Sequence, residues 1–217
     1  MIVSLLQKFS NNWPTVKPEL QRTMQENREW NSQFRTNNNL STKDKEYKKN
    51  KKTLQVSKNE TAAILLKELP DEIFSRAALL ESEYKIEGSV GKGEISEIPW
   101  ICVLDKDITQ SAQTGFYIVY LMRSDLSGFY LSLNQGWTQY EKKFKPKSSA
   151  KIEIEKTAAK LKKTLKTVAG FSFSRIDLKG NSDLAKGYEL GNVCSVFYDF
   201  NDLPNSKTFI NDLQKLI

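Results

Sequence analysis

Apolar and polar positions follow different rhythms along this chain, and each change of rhythm marks a change of element. Residues 1–10, "MIVSLLQKFS", read as a short amphipathic helix, and "NNWPTVKPELQ" then interrupts the pattern with two prolines. From 31 to 58 the chain is polar, rich in Asn and Lys and almost without apolar anchors, which predicts a linker or long loop. "NETAAILLKELPDEIFSRAALL" returns to helical spacing through Ile64, Leu65, Leu69, Ile73, Phe74 and Leu80, with Pro70 dividing it into two helical pieces.

From residue 84 the period shortens to two. "YKIEGSV", "PWICVLD", "FYIVYLM" and "GFYLSLNQG" are rich in β-branched and aromatic residues and separated by Gly, Asp and Ser turns, so they read as strands. The connection "RSDLSG" is short enough for an antiparallel hairpin, which makes this stretch a meander. Residues 148–169 are helical again, with Ile154, Ala158, Leu161, Leu165 and Val168 on one stripe and lysines on the others. "GFSFSRIDLKG" reads as a further strand and "GYELGNVCSVFYD" as irregular or strand-like. "PNSKTFINDLQKLI" is a closing helix opened by Pro204 and Asn205. The expected fold is α+β: a mainly antiparallel, curved sheet with flanking helices in a single domain at 59–217, preceded by an N-terminal helix and polar linker at 1–58. No βαβ alternation is present, which argues against a nucleotide-binding parallel sheet.

Composition changes this picture in three places. At 39% hydrophobic and 27% charged residues the chain is ordinary for a soluble globular protein. No apolar run approaches the roughly 18 residues of a membrane span, and the N-terminus is a poor signal peptide, so a cytoplasmic protein without membrane partners is expected. Cys102 and Cys194 lie in apolar surroundings and read as buried thiols. There is no histidine, which removes the usual zinc sites and every Ser-His or Cys-His nucleophile, and neither metal nor cofactor is expected.

The net charge of +7 is concentrated in two segments. Residues 141–166 hold ten lysines against three glutamates, and residues 43–58 hold seven lysines against two acids. Such runs are either solvated surface or an electrostatic footprint for nucleic acid, and charge alone does not choose.

Two catalytic look-alikes were weighed against this background. "GSVGKGE" lacks the G-K-[ST] register of a phosphate-binding loop, and Ser96 stands where a dinucleotide loop needs its third glycine. Asp71 with Glu83 and Lys85 fits the bare PD-(D/E)xK pattern of a Mg²⁺-dependent nuclease, but Asp71 heads a helical segment, where a carboxylate is favoured by the helix dipole instead. The aromatics are more suggestive. Trp100, Phe116, Tyr117, Tyr120, Phe129, Tyr130, Trp137 and Tyr140 crowd into 41 residues. Most must be core, yet flat faces beside a glycine hinge on a basic domain are what a base-stacking pocket requires.

The run from "YKIEGSVGKGEISEIPWICVLD" through "LSLNQGWTQYEKKF", with the motifs G-S-V-G-K-G, I-P-W-I, S-A-Q-x-G-x-Y and L-S-L-N-Q-G-W-T-Q, closely resembles the MrcB-like N-terminal domain, the DNA-reading module of McrB-type modification-dependent restriction proteins. "IDLKGNSDLAKGYELGNVCSVFYD" is similar to that family's C-terminal half, so the likeness runs from about residue 60 to the end. The resemblance implies a non-catalytic reader of double-stranded DNA that flips 5-methylcytosine or a related base into an aromatic pocket, with a restriction nuclease or GTPase subunit supplying the catalysis. It implies pocket roles for Trp100, Tyr117 and Leu121 and a DNA-approaching loop at Gly88, Ser89, Gly91, Lys92 and Gly93. Lys92 stands where the family's wedging aromatic is expected, which turns that contact toward a phosphate or base edge. Asn134, Gln135, Trp137, Asp177 and Tyr188 are further candidates, and Lys142, Lys143, Lys145 and Lys147 are expected to meet phosphates. The competing readings are the nuclease of Asp71, Glu83 and Lys85, and an unspecific nucleic-acid binder.

Overall fold

The computed structural model describes residues 1–165 and 167–217. Five antiparallel strands form one open sheet in sequence order: β1 (Tyr84–Ser89), β2 (Trp100–Asp105), β3 (Phe116–Met122), β4 (Gly128–Gln135) and β5 (Cys194–Asp199). The β3–β4 connection is the expected hairpin, and Phe116↔Gln135 through Met122↔Phe129 set its register. The α+β architecture, with an antiparallel sheet between flanking helices, is as expected.

Both faces of the sheet are covered, which explains why β2 and β3 read as nearly continuous apolar runs. Ile101, Val103, Ile118, Tyr120, Met122, Phe129 and Leu131 face one core. This core is roofed by α1 (Ile2–Asn37), by a helical rod at residues 60–76 and by α8 (Ser206–Gln214), whose Asn205 cap accepts the Thr208 N–H. Cys102, Leu104, Tyr117, Val119 and Leu121 face the other core, beneath Ile176, Leu178, Ala185 and Tyr188. Cys102 and Cys194 are both free and buried, and burial pushes the Cys194 thiol up to about 11. A third, smaller cluster joins α5 (Trp137–Lys143), α6 (Lys147–Leu165) and α7 (Asp183–Gly191) through Trp137, Ala150, Ile154 and Leu190.

Four expectations are corrected. First, α1 passes through Pro14 and Pro18 without breaking. These prolines lie one turn apart on the solvent side, where water can satisfy the carbonyls they leave unbonded, while Trp13 and Leu20 hold the opposite side in the core. Second, residues 31–58 are not an unstructured connection: α1 runs to Asn37, and α2 (Lys45–Asn50) and a 3₁₀ turn at Val56–Lys58 follow. Third, Pro70 does not divide the 60–76 rod. α3 (Glu60–Ala63) leads into α4 (Leu69–Arg76) through a π-helical segment, Ile64–Glu68, whose wider turn accommodates the proline ring and its missing N–H. Leu80 lies beyond that rod and is exposed.

Fourth, "GFSFSRIDLKG" is not a strand: it pairs with β5 only at Ser172↔Ser195. Its backbone is engaged elsewhere, since Leu178 N–H donates to the buried Glu189 carboxylate and the Asp177 and Leu178 carbonyls accept from Arg123 Nε and Ser124 N–H. Next to it, "GYELG" is helical within α7, and only "CSVFYD" is strand. α6 ends at Leu165; Lys166, inside the expected helix, lies outside the described residues.

Candidate nucleic-acid interface

β1 ends at Ser89 and β2 begins at Trp100, so the glycine loop and the tryptophan share one end of the sheet. The three glycines do different jobs there. Gly88 is inside β1, paired with Ile101, and a Cβ on it would overlap the Leu65 carbonyl of the π segment, so it is required for packing. Gly91 sits at φ +111 in a turn that Ser96 N–H closes on the Val90 carbonyl at 2.7 Å, and its own N–H donates to Ser89 Oγ. Gly93, at φ +83, has open space around it and forms the exposed tip with Lys92 and Glu94.

The register draws a line across the sheet from this loop: Ser89↔Trp100, Trp100↔Leu121, Leu121↔Tyr130, Tyr130↔Phe197. Directly paired residues point to the same face, so Trp100, Leu121, Tyr130 and Phe197 form one row on the second face. Trp100 and Tyr130 are half-buried, the Tyr130 and Phe197 rings are 4.9 Å apart, and Phe197 is 39% exposed with the Arg123 guanidinium 5.4 Å above it. Tyr188, on α7, closes over the row. Burial raises its hydroxyl well above the usual phenol range, Cys102 adds to this, and the approaching Trp100 indole opposes it.

Of the expected pocket residues, the structure therefore brings together Trp100, Leu121 and Tyr188. Tyr117 stands four residues along β3 from Leu121, about 13 Å at strand rise, and its hydroxyl donates to the Gln135 carbonyl, yet it packs in the same core as Tyr188; burial, with Tyr188 nearby, raises its hydroxyl well above the usual phenol range. Tyr130 and Phe197 were not singled out as site residues. The hairpin count places Tyr130 opposite Leu121, but Phe197 joins only through the long-range β4–β5 pairing.

Asn134 and Gln135 are fully buried in a bonded network. Asn134 Nδ2 donates to the Tyr188 carbonyl and to Ser132 Oγ, while Gln135 Nε2 donates to the Ile154 and Gly191 carbonyls. Trp137 is buried against Gly187, where a Cβ would collide with the indole. These three residues anchor α6 and α7 to the sheet rather than facing solvent.

Three segments ring the mouth of the row. Glu97, in the glycine loop, accepts the N–H groups of Asn181 and Ser182 at 2.8 and 2.9 Å, fastening the loop to the start of α7. Burial alone would raise its carboxyl; the bonds from Ser182 and Asn181 and the nearby Lys17 outweigh this and hold it below the usual range. Arg123 and Ser124 in the hairpin turn bind the Asp177 and Lys179 carbonyls, and Asp177 itself pairs with Lys179 at 2.7 Å. Beyond Ser182, Asp183 binds Lys147 and Lys151 at 3.0 and 2.8 Å, which carries the rim to the start of α6. Lys147 also pairs with Glu141, whereas Lys142, Lys143 and Lys145 are exposed beside it.

The chain belongs to the MrcB-like N-terminal domain family: that family's model matches residues 43–217. No curated protein and no solved structure matches the chain. The family is that of the N-terminal domain of McrB-like restriction proteins, so this is a restriction-system domain in which a non-catalytic module is expected. The glycine loop, the Trp100 row and Tyr188 of the MrcB-like domain all fall inside the matched span, whereas α1 lies outside it.

The nuclease look-alike finds a different setting. Asp71 lies in the first turn of α4, on a cleft of about 440 Å³ shared with Glu81, Lys85 and Lys106. Glu83 is not part of that lining, and among the described residues no group of three or more Cys, Asp or Glu is placed to hold a metal ion. No described helix is long and apolar enough to cross a membrane.

Proposed function

We propose that this MrcB-like domain reads modified cytosine, 5-methylcytosine or a relative, in duplex DNA by receiving the flipped base against Trp100, Leu121 and Tyr188. The observation that carries this reading is the meeting of those side chains, from two strands and a helix distant in sequence, behind a glycine loop whose exposed tip carries Lys92. Leu121 is fully covered and Tyr188 is 5% exposed, so admitting a base requires the loop at 90–97 to move away from the 177–183 segment. The Glu97 bonds tie those two segments together beside the buried Ile98, which packs in the same core as Ile176 and Leu178.

The energetics are adequate. Extruding a base costs a few kcal/mol of stacking and pairing, and stacking on an aromatic side chain returns about 1–3 kcal/mol. A methyl group adds about 0.8 kcal/mol of apolar burial, roughly a fourfold preference, unless the pocket's shape also excludes unmodified cytosine. Lys92 and the exposed Lys142, Lys143 and Lys145 would meet phosphates, and a nuclease or GTPase partner would act on what the domain marks.

The test is competition binding at fixed salt with one duplex carrying unmodified, 5-methyl-, 5-hydroxymethyl- or N4-methylcytosine. The expected result is a preference for one modified form, with Trp100→Ala weakening that complex by about 1–3 kcal/mol and levelling the four duplexes. Equal binding of all four by the wild type would overturn the reading.

A further inference from the structure

The last buried position of α1 is Leu20, yet the helix continues for seventeen more residues to Asn37. From there the chain turns and runs back beside it. Asn31 makes a two-bond clamp, its Nδ2 donating to the Lys52 carbonyl and its Oδ1 accepting the Lys52 N–H, both at 2.8 Å. Trp30 stacks on Phe34 at 4.9 Å, the Lys52 ammonium lies 4.6 Å from the Trp30 ring centre, and Arg35 lies over Tyr47. The polar stretch is thus a folded arm with its aromatics turned inward and its lysines outward.

The arm is one of two strongly basic regions: residues 21–58 hold ten basic and four acidic side chains, beside the ten lysines and three glutamates of residues 141–166. Among the described residues, Lys43, Lys45, Lys48, Lys49, Lys51 and Lys58 are exposed and make neither an ion pair nor a side-chain hydrogen bond. In the second lysine-rich region Lys147, Lys151 and Lys156 are partly neutralised by Glu141, Asp183 and Glu153, while Lys142, Lys143 and Lys145 are exposed and, among the described residues, unpaired like those of the arm. The arm also reaches the candidate site. Arg28 bonds Glu94, at the tip of the glycine loop, at 2.9 Å, and Lys17, one segment earlier in α1, lies close enough to Glu97 for each to shift the other's ionisation.

We infer that this helical arm is a second DNA contact, a preorganised cationic rail that grips the phosphate backbone beside the base-reading loop. The inference rests on the proposed reading of that loop as the DNA-facing surface. From Arg28 to Asn37 the helix advances about 13 Å, the rise of about four successive phosphates on one strand, so a duplex seated on the loop passes along the arm. Arg28 pairs with the one carboxylate at the loop tip, Glu94, and so offsets the charge that would repel a phosphate there. Because the arm offers charge and no groove for a base, its contribution is independent of sequence and of modification.

The experiment compares the full chain with K45Q/K48Q/K49Q/K51Q and with the corresponding four-arginine variant, on modified and unmodified duplexes over a range of salt. The glutamine variant should bind both duplexes about tenfold or more weakly at 0.1 M salt, with the modified-to-unmodified ratio unchanged. Its slope of log affinity against log salt should be shallower by about 2–4, at roughly 0.9 per lost phosphate contact. The arginine variant should keep the wild-type slope. Wild-type affinity and slope in the glutamine variant, or an equal loss in the arginine variant, would overturn the inference. Failure of the base-reading proposal shows separately, as a wild type that binds all duplexes alike while the glutamine variant still loses slope.

Discussion

At Gly88 the absence of a side chain is a matter of volume, and at Gly93 it is a matter of backbone conformation. The first has the Leu65 carbonyl where a Cβ would go; the second is in open space but holds φ +83, which L-residues reach at a cost of about 1–2 kcal/mol. Gly88→Ala is therefore expected to destabilise the fold by about 1–3 kcal/mol or more, because β1 and the π segment must part, while leaving the loop tip's chemistry alone. Gly93→Ala should cost only about 1 kcal/mol of stability and stiffen the tip. Urea unfolding measures both, and equal losses would contradict this division of roles. The cluster of glycines was conspicuous in the sequence, but three identical letters do not reveal that one packs, one turns and one frees the tip. That difference depends on Leu65, which lies twenty-three positions away from Gly88.

Between elements, the decisive relation is the one that Glu97 makes between the glycine loop and the cap of α7. Its carboxyl is held below the usual carboxylate range in the folded protein, so its stabilising contribution is fully present above the unfolded pKa of about 4.3 and is lost as pH falls through the lower folded value. Glu97→Gln should consequently be less stable than wild type at pH 7, with the two converging in acid as pH falls through the lowered folded value. Thermal unfolding at neutral and acid pH checks this, and a gap that persists in acid would point to a packing effect instead. The strands and their order were legible because a period of two and short turns specify a meander. Alternation also placed Tyr117 and Leu121 on one face correctly. What alternation cannot give is distance along a face: only the β2–β3 register shows that Trp100 is paired with Leu121, four residues along β3 from Tyr117. The segment at 171–180 misled for a related reason. Its apolar residues alternate as in a strand, but Glu189, Arg123 and Ser124 take the backbone groups a neighbouring strand would have used.

For the molecule as a whole, the notable fact is that neither face of the central strands of its sheet is open to solvent. One side is closed by α7 and the 176–180 segment, and the other by α1, the 60–76 rod and α8. The apolar first turns of α1 were visible in the sequence, but its full length was hidden by two prolines that local rules treat as stops. Ile2, Leu6, Phe9, Trp13 and Leu20 are all buried under the sheet, and each buried side chain of this size is worth about 1.5–3 kcal/mol. Their sum is comparable with the entire stability of an ordinary domain. A polypeptide comprising residues 43–217 is therefore expected to lack a cooperative unfolding transition and to bind a hydrophobic dye; a sharp transition near that of the full chain would refute this. The span that is similar across the family and the span that must be present for folding are then two different lengths of chain. Moving this domain into a different protein would succeed only if the piece taken began no later than Ile2, with the helix carried along as cargo that lies outside the family span yet keeps the fold in existence.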